Sequence, residues 1–581
     1  MEKQAWAKPF IYTCNVLGNE SDFFSSALQF ELGMKLIEKE RLMMEIADKV
    51  ILSEAVFTGL ENEARPAALA IKGNKILAVG AKEEILSYIG PETREYHFGN
   101  QLIMPGFHDA HLHLMLGSLF THASVDLSDA RSSEEVAILV KQFADERPED
   151  EWIFGYGWDQ TKWGVKEFPN RFLLDKAISD RPVILFHAEG HYTWVNSKAL
   201  QVSGVTKKTT NPDYGVIEKD NKGELTGILI ETATNLVADI ALALPEEKQR
   251  ELFEAFLKQA ARLGVTSVND LYASSFDRLK NLNMYHEYDK AGKLTTRIHL
   301  YPALSGNIEE AKVMRDKYRS EKLKFTGLKQ FIDGVVTGHT AYMLDPYLDR
   351  PKTKGDPAFP EETIRNWVLT ADREGFQIRF HAIGDGAVRL GLDLFEEAQR
   401  INGIRDSRHA LEHIEVIHPT DIPRFKEIGV IPSVQPSHLA LMPKESHTLR
   451  VGKEKDPYTY LCRTLKDAVD HIAFGTDYPI TTLNPFKEIY YAVTRLDFTG
   501  ESKWNKKEQV TLADAIRAYT QGAAYSSFRE NELGTLEKGK LADIIVLDCN
   551  LFDISVDQIP TIQVELTMMD GKVIYTNSAN Q

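Results

Sequence analysis

Cysteine is nearly absent, with Cys14, Cys462 and Cys549 scattered over 581 residues. So few thiols exclude a disulfide framework and a thiolate metal site, and a reducing cytoplasm fits best. Basic charge is also scarce: 68 Lys and Arg stand against 85 Asp and Glu, for a formal net charge of -17. A surface that follows phosphates needs clustered cations, so the balance argues against a general nucleic-acid or anionic-membrane binder and leaves room only for a local basic patch. No run approaches the roughly 20 apolar residues that span a bilayer. The N-terminus lacks a basic region followed by an apolar stretch, so export is not expected. Low-complexity tracts and short repeats are missing, which excludes a solenoid.

What is present is the material of a globular enzyme, 43% hydrophobic and 26% charged, in a chain too long for one core. Short β-rich runs open the folded part at Val50–Leu52, Ala55–Thr58, Ala68–Ile71 and Ile76–Val79, punctuated by Gly59, Gly73 and Gly80. A matching set closes the chain at Ile544–Leu547 and Met569–Tyr575, where Asp570-Gly571 marks a hairpin turn. The two ends therefore read as one β-sandwich built from both termini. Residues 1–46 form an N-terminal extension, a helical arm or upstream reading frame, before a clear strand begins at Lys49.

Between the ends, strand-like runs alternate with amphipathic helical segments, the pattern of a parallel sheet or barrel. An eight-unit barrel of about 250 residues gives roughly 31 residues per unit. His381 and His413 are 32 residues apart, and His413 and Asp477 are 64 apart, two such steps. These side chains thus recur at the ends of successive strands, where barrels place their chemistry. The stretch from Val125 to Ala260 is too long for this rhythm and reads as an insertion over the mouth.

The strongest chemical signal is Pro105-Gly106-Phe107-His108-Asp109-Ala110-His111-Leu112-His113. Residues two apart in a strand face the same side, so His111 and His113 can aim at one point, a geometry that suits a metal. A lone His-x-His pair is equally open to hydrogen-bonded histidines; the preceding apolar run and the downstream candidates favour ligands. His381 follows the strand-like Gln377–Phe380, and His413 sits in Leu411-Glu412-His413. Each alone also reads as a satisfied core histidine. Asp477, in Gly475-Thr476-Asp477-Tyr478-Pro479, reads equally as a turn aspartate. Lys329 lies in an otherwise apolar strand. An unpaired ammonium is expensive there, and a metal role requires the neutral amine or an anionic modified form.

With Arg181–Val183, His191, Asn196–Leu200, Thr340-Ala341, His381–Gly386 and Gly539–Asp543, these blocks resemble the amidohydrolase superfamily from about Met44 to Tyr575. The likeness is to amidohydrolase family 3, the YtcJ-like group that includes N-substituted formamide deformylase. The resemblance implies an α/β fold: a (β/α)8 TIM barrel over 105–529 with an insertion at about 125–260. It also implies a composite β-sandwich from 47–104 and 530–581. The implied cofactors are two divalent metal ions, commonly zinc, held by His111, His113, Lys329, His381, His413 and Asp477. Lys329 is implied to be carboxylated and to bridge them, which answers its charge problem. Asp477 is the implied acid–base group in C–N bond cleavage of a small molecule by metal-activated hydroxide. The same ligands permit ester, lactone or deamination chemistry, and a non-catalytic scaffold is the alternative outside enzymes. Trp158, His191 and His339 are the expected substrate contacts, in a protein with no nucleic-acid or membrane partner and room for a homodimer. His108 and Tyr478 depart from the usual pattern of the group without removing a ligand.

Overall fold

The computed structural model describes residues 45–577 apart from 165–166, 272–278, 280 and 498. Most of the N-terminal extension expected over 1–46 thus lies outside the described residues.

Eight parallel strands position the site: β1 (Phe107–Leu112), β2 (Val265–Leu271), β3 (Arg297–Tyr301), β4 (Gly327–Phe331), β5 (Gln377–Ala382), β6 (Ala410–His413), β7 (Ile431–Val434) and β8 (Ala473–Phe474). The first three, extended by Leu323–Phe325, pair in order in one sheet, and β4 to β8 pair in order in a second. Parallel bridges join the two sheets on both sides, Ala303 to Lys329 and Leu112 to Tyr478. Parallel strands covered on both faces carry continuous rather than alternating burial. Every residue of β2, β5, β6 and β7 is accordingly buried.

The helices between strands follow from local sequence. Glu361–Arg373 starts after Pro360 with Glu361 and Glu362 in its first turn, where acidic charge suits the helix dipole. Its buried Ile364, Val368 and Ala371 make one apolar stripe. Gly375, at φ +80°, turns the chain into β5. Asp385–Asn402 then leaves the end of β5, burying Val388, Leu392 and Phe395 on the same spacing.

Between β1 and β2 the chain forms the helix Leu114–Ala123 and a six-stranded sheet. Its strands lie in the order Gly215–Lys219, Leu225–Glu231, Tyr192–Val195, Val183–His187, Ile153–Trp158 and Val125–Asp126. Trp158, Val183, Leu185 and Trp194 belong to a hydrophobic cluster of its own. Gly117 in the helix allows the Tyr478 ring to approach, since a Cβ there would lie 2.0 Å from a ring carbon.

Both ends of the described chain meet in one eight-stranded sheet, running from Lys572–Thr576 through Val564–Met569, Ile544–Leu547, Leu102–Pro105 and Lys49–Val56 to Arg65–Lys72 and Lys75–Gly80, with Arg94–His97 also paired to Lys49–Val56. Asp570 and Gly571 both take positive φ, +55° and +70°, as their dipeptide predicts for the hairpin turn. No helix among the described residues is long and apolar enough to cross a membrane.

A buried ion pair ties this sheet to the parallel strands. Arg297 of β3 donates from Nε and Nη2 to Asp543 at 2.9 and 3.0 Å, and from Nη2 to Asp570 at 3.1 Å. Removing one partner of such a pair strands a buried charge. Asp543→Ala is therefore expected to destabilise the protein by about 3 kcal/mol, even with Asp570 retained. A urea-denaturation midpoint should fall accordingly, and the double change Arg297→Met with Asp543→Leu should recover most of the loss; equal midpoints for Asp543→Ala and the parent would refute the assignment.

Candidate metal centre

Asp477 follows β8 and has φ +54°; His413 ends β6 with φ +74°. Non-glycine residues rarely adopt this left-handed conformation, and where they do the surrounding structure holds them there. Both side chains face a cavity of about 300 Å³ whose wall also includes His111, His113, Lys329 and His381. All six residues singled out in the sequence thus line one space.

The donors are close and poorly paired. Asp477 Oδ1 lies 3.2 Å from His111 Nε2 and 3.1 Å from His113 Nε2. His111 Nε2, His413 Nδ1, Lys329 Nζ and Asp477 Oδ1 are buried without a hydrogen-bond partner. Buried polar atoms are normally satisfied, and several orphans converging at one place call for an ion. One donor atom from each of His111, His113 and Asp477 lies within 4.8 Å of the other two. Two imidazoles and a carboxylate are the ligand types that zinc and related dications accept, so the residues fit a divalent cation.

Neighbouring residues set the tautomers. His111 Nδ1 lies 2.8 Å from the Glu412 carboxylate, which accepts its proton and leaves the Nε2 lone pair for the cavity. Glu412 is held in turn by Arg379, whose Nε donates at 2.6 Å. Burial would raise Glu412, but Arg379 and His111 bring it down to about 2. His381 Nε2 donates to the Gly334 carbonyl at 3.1 Å, leaving Nδ1 free. Asp109 fixes the seam between β1 and β8, accepting from the Thr476 and Tyr519 hydroxyls at 2.7 and 2.5 Å and from the His111 amide at 3.1 Å.

The charge states suit a cation. Burial pushes His113, His381 and His413 down, the last two far below the usual imidazole range, so they present lone pairs. Burial alone would raise Asp477; His111, His113 and His413 outweigh it and hold the carboxyl well below its ordinary range. For Lys329, burial lowers the ammonium to about 8, against the opposing pull of Glu412 and Asp477. A fraction of that amine is neutral near pH 7.

The expected substrate contacts divide. His191 lines the cavity, its ring centroid 5.7 Å from that of His381, and pairs with Glu231 at 2.9 Å. Burial opposes its protonation, but Glu231 raises it to about 9. Trp158 is not part of the wall: it is fully buried, donates to the Leu185 carbonyl at 2.9 Å and packs against Trp194. His339 also lies outside the wall, on the loop after β4, paired with Asp349 at 2.9 Å. Residue-by-residue reading missed Glu412, Arg379 and Glu231. Glu412 carried a signal, because it adjoins a candidate ligand in a strand too apolar to bury a carboxylate without purpose.

Comparison with known proteins accords with the site. The family model described as "Amidohydrolase family" matches residues 99–575. The chain is 31% identical to the protein LONG AFTER FAR-RED 3 of Arabidopsis thaliana, over 91% of this chain and 92% of that one. It is 28% identical to the putative amidohydrolase YtcJ of Bacillus subtilis (strain 168), over 90% and 98% of the two chains. To the N-substituted formamide deformylase of Arthrobacter pascens it is 26% identical, over 93% and 100%. Among solved structures it resembles an uncharacterized metal-dependent hydrolase from Pyrococcus furiosus, with TM-score 0.68 and 27% identity over 86% of this chain and 98% of that one. The fold is thus that of a metal-dependent hydrolase, and the donor set fits a divalent cation. The chain belongs to the amidohydrolase family.

If Glu412 orients His111 for a cation, Glu412→Gln should weaken zinc binding about 10–100-fold with little change in fold. Competition against a chromophoric chelator measures this, and unchanged affinity would remove Glu412 from the centre.

Proposed function

We propose that this protein hydrolyses a C–N bond, amide or formamide-like and outside peptides, in a small molecule. The cofactor in this reading is a pair of divalent cations, zinc foremost, held by His111, His113, Lys329, His381, His413 and Asp477, with Lys329 carboxylated between them. One observation carries it: six donors from separate parts of the chain line one cavity, among them a fully buried lysine whose amine has no hydrogen-bond partner. Addition of the neutral Lys329 amine to carbon dioxide forms an N–C bond, releases one proton and leaves an anionic carbamate. That exchanges a cation incompatible with bound dications for a ligand.

We read the eight parallel strands as a closed (β/α)8 barrel, the terminal sheet as part of a composite β-sandwich, and 125–260 as an insertion over the mouth. The bridges at both seams and the likeness to the Pyrococcus furiosus hydrolase support this reading. The scarcity of thiols and of basic charge supports a cytoplasmic protein acting on a small molecule, without a nucleic-acid partner.

When bound, such cations polarise a carbonyl oxygen and lower the pKa of water toward 7. The protein's own groups do the rest. Asp477, ionised at neutral pH, accepts a proton from the attacking water and delivers it to the leaving nitrogen, so the amide and water become a carboxylic acid and an amine. His191, charged beside Glu231, faces the substrate from the insertion. Phe120, Phe186, Phe331, Phe359 and Ile480 also line the wall and suit an apolar substituent. The formamide deformylase among the relatives favours an N-substituted formamide.

The test is a panel of N-formyl and N-acyl amines, with esters and aminopurines as controls, given to zinc-supplemented enzyme while amine release is followed. Hydrolysis of at least one amide is expected, and Asp477→Asn should lower kcat about 100-fold or more. Turnover confined to esters or aminopurines would overturn the C–N assignment, and undiminished hydrolysis by Asp477→Asn would overturn the proton role.

A further inference from the structure

The second oxygen of Asp477 has neighbours of its own. His438 lies four residues beyond the end of β7, in the short helical turn Pro436–Ala440, and its side chain is buried. Its Nε2 is 3.6 Å from Asp477 Oδ2 and has no hydrogen-bond partner. Beside it the His413 ring is stacked at a centroid distance of 5.4 Å and an angle of 15°. His413 Nδ1, also unpartnered, is 4.0 Å from the same Asp477 oxygen. One donor atom from each of His413, His438 and Asp477 lies within 4.8 Å of the other two.

A separation of 3.6 Å exceeds a hydrogen bond. It does suit two ligands of one ion: tetrahedral zinc with bonds of about 2.0–2.1 Å places its donor atoms about 3.3 Å apart. The separations of His113 and His111 from Asp477 Oδ1, 3.1 and 3.2 Å, lie just below that value, and that of His438 from Oδ2 just above it. The other side of His438 carries the support that a ligating histidine needs. Its Nδ1 lies 3.4 Å from Glu415 Oε1, and the Tyr460 hydroxyl donates to Glu415 Oε2 at 3.1 Å. A carboxylate on one ring nitrogen fixes the tautomer and aims the other nitrogen at the metal, the relation that Glu412 has to His111.

We propose that His438 is a metal ligand, which with His413 and Asp477 Oδ2 forms a cation position beside that of His111, His113 and Asp477 Oδ1, with Glu415 and Tyr460 orienting its imidazole. This rests on the reading of a two-cation centre and adds a ligand outside the set of six. Asp477 Oδ2 faces the second position and keeps a lone pair for the proton that it takes from water. His438 is not part of the cavity wall, so it acts from behind the reacting face and substrate does not compete for it.

The experiment uses the full chain, stripped with chelator, reloaded with zinc or cobalt, dialysed and analysed by elemental mass spectrometry. Two equivalents are expected for the parent protein and one fewer for His438→Ala and His438→Gln, with an altered visible spectrum of the cobalt form. Glu415→Gln should retain both cations but bind the second about 10–100-fold more weakly. Circular dichroism checks folding, and Glu415→Gln, which leaves the imidazole in place, keeps the test decisive if His438 variants do not fold. Unchanged stoichiometry, affinity and cobalt spectrum in these variants would overturn the ligand role while leaving the metal centre intact, even if activity fell. A parent protein that takes up no metal would overturn the two-cation reading itself.

Discussion

A carboxylate without water must be surrounded by positive or polarisable partners, and Asp477 is the group on which this structure turns. It is almost wholly buried, at a backbone conformation that favours glycine, with imidazoles arriving from β1, β6 and the turn after β7. Attraction from His111, His113 and His413 offsets the burial of the Asp477 carboxyl, while burial drives His113, His381 and His413 toward the neutral form. Imidazoles whose buried nitrogens lack hydrogen-bond partners, gathered around an ionised carboxylate, suit a dication among them. The energetic logic of the site therefore points to the ion before any comparison does.

These groups are supported by a second tier of charge. Arg379 and Glu412 lie fully buried beneath the cavity, and the Arg379 Nη2 also donates to Ser433 of β7 at 3.2 Å. Through this pair β5, β6 and β7 are held together at the level where the ligands emerge. On the opposite seam Asp109 joins β1 to the loop after β8 and to Tyr519. Asp333, just past β4, accepts the amides of Ile383 and Gly384 at 3.0 and 2.8 Å and so fixes the loop after β5. Of these carboxylates Glu412 hydrogen-bonds a donor ring directly, as metal sites require of their surroundings, while Asp109 and Asp333 hold the backbone beside His111 and His381.

Much of this was legible along the chain. His111 and His113 share a strand direction, and His381, His413 and Asp477 recur at multiples of one repeat, so strand periodicity alone brings them to one rim. Lys329 stood out because a charge in an apolar strand demands an explanation. The Asp570-Gly571 turn followed from its dipeptide. The residues that escaped were those whose role depends on which way a side chain points. Trp158 lies in a Gly-Tyr-Gly-Trp run that reads as a pocket lining, yet its indole turns into the sheet of the insertion, where Val183, Leu185 and Trp194 are its cluster neighbours. His339 turns toward Asp349 for the same reason: a local partner outcompetes the cavity. His438 was hidden by a short helical turn that breaks strand alternation, although its place just beyond β7 sets it at the same rim.

The six-stranded sheet segment between β1 and β2 is joined to the loop after β4. Phe186, Glu189, His191, Tyr214 and Glu231 reach the cavity from this segment and form much of the wall that faces the donors. They do not float over it. Thr337 hydrogen-bonds to Glu189, and the Tyr214 hydroxyl donates to the Thr340 carbonyl at 3.3 Å, both on the loop that follows Lys329 and Asp333. Gly334 also lies close to Glu231, since a Cβ there would meet the carboxylate at 2.6 Å. The segment between β1 and β2 thus contacts the loop just downstream of Lys329, whose residue Gly334 also accepts the His381 hydrogen bond. The wall that faces the donors is in this way built from strands and hydrogen-bonded turns, and it shares Gly334 with the hydrogen bond that holds His381.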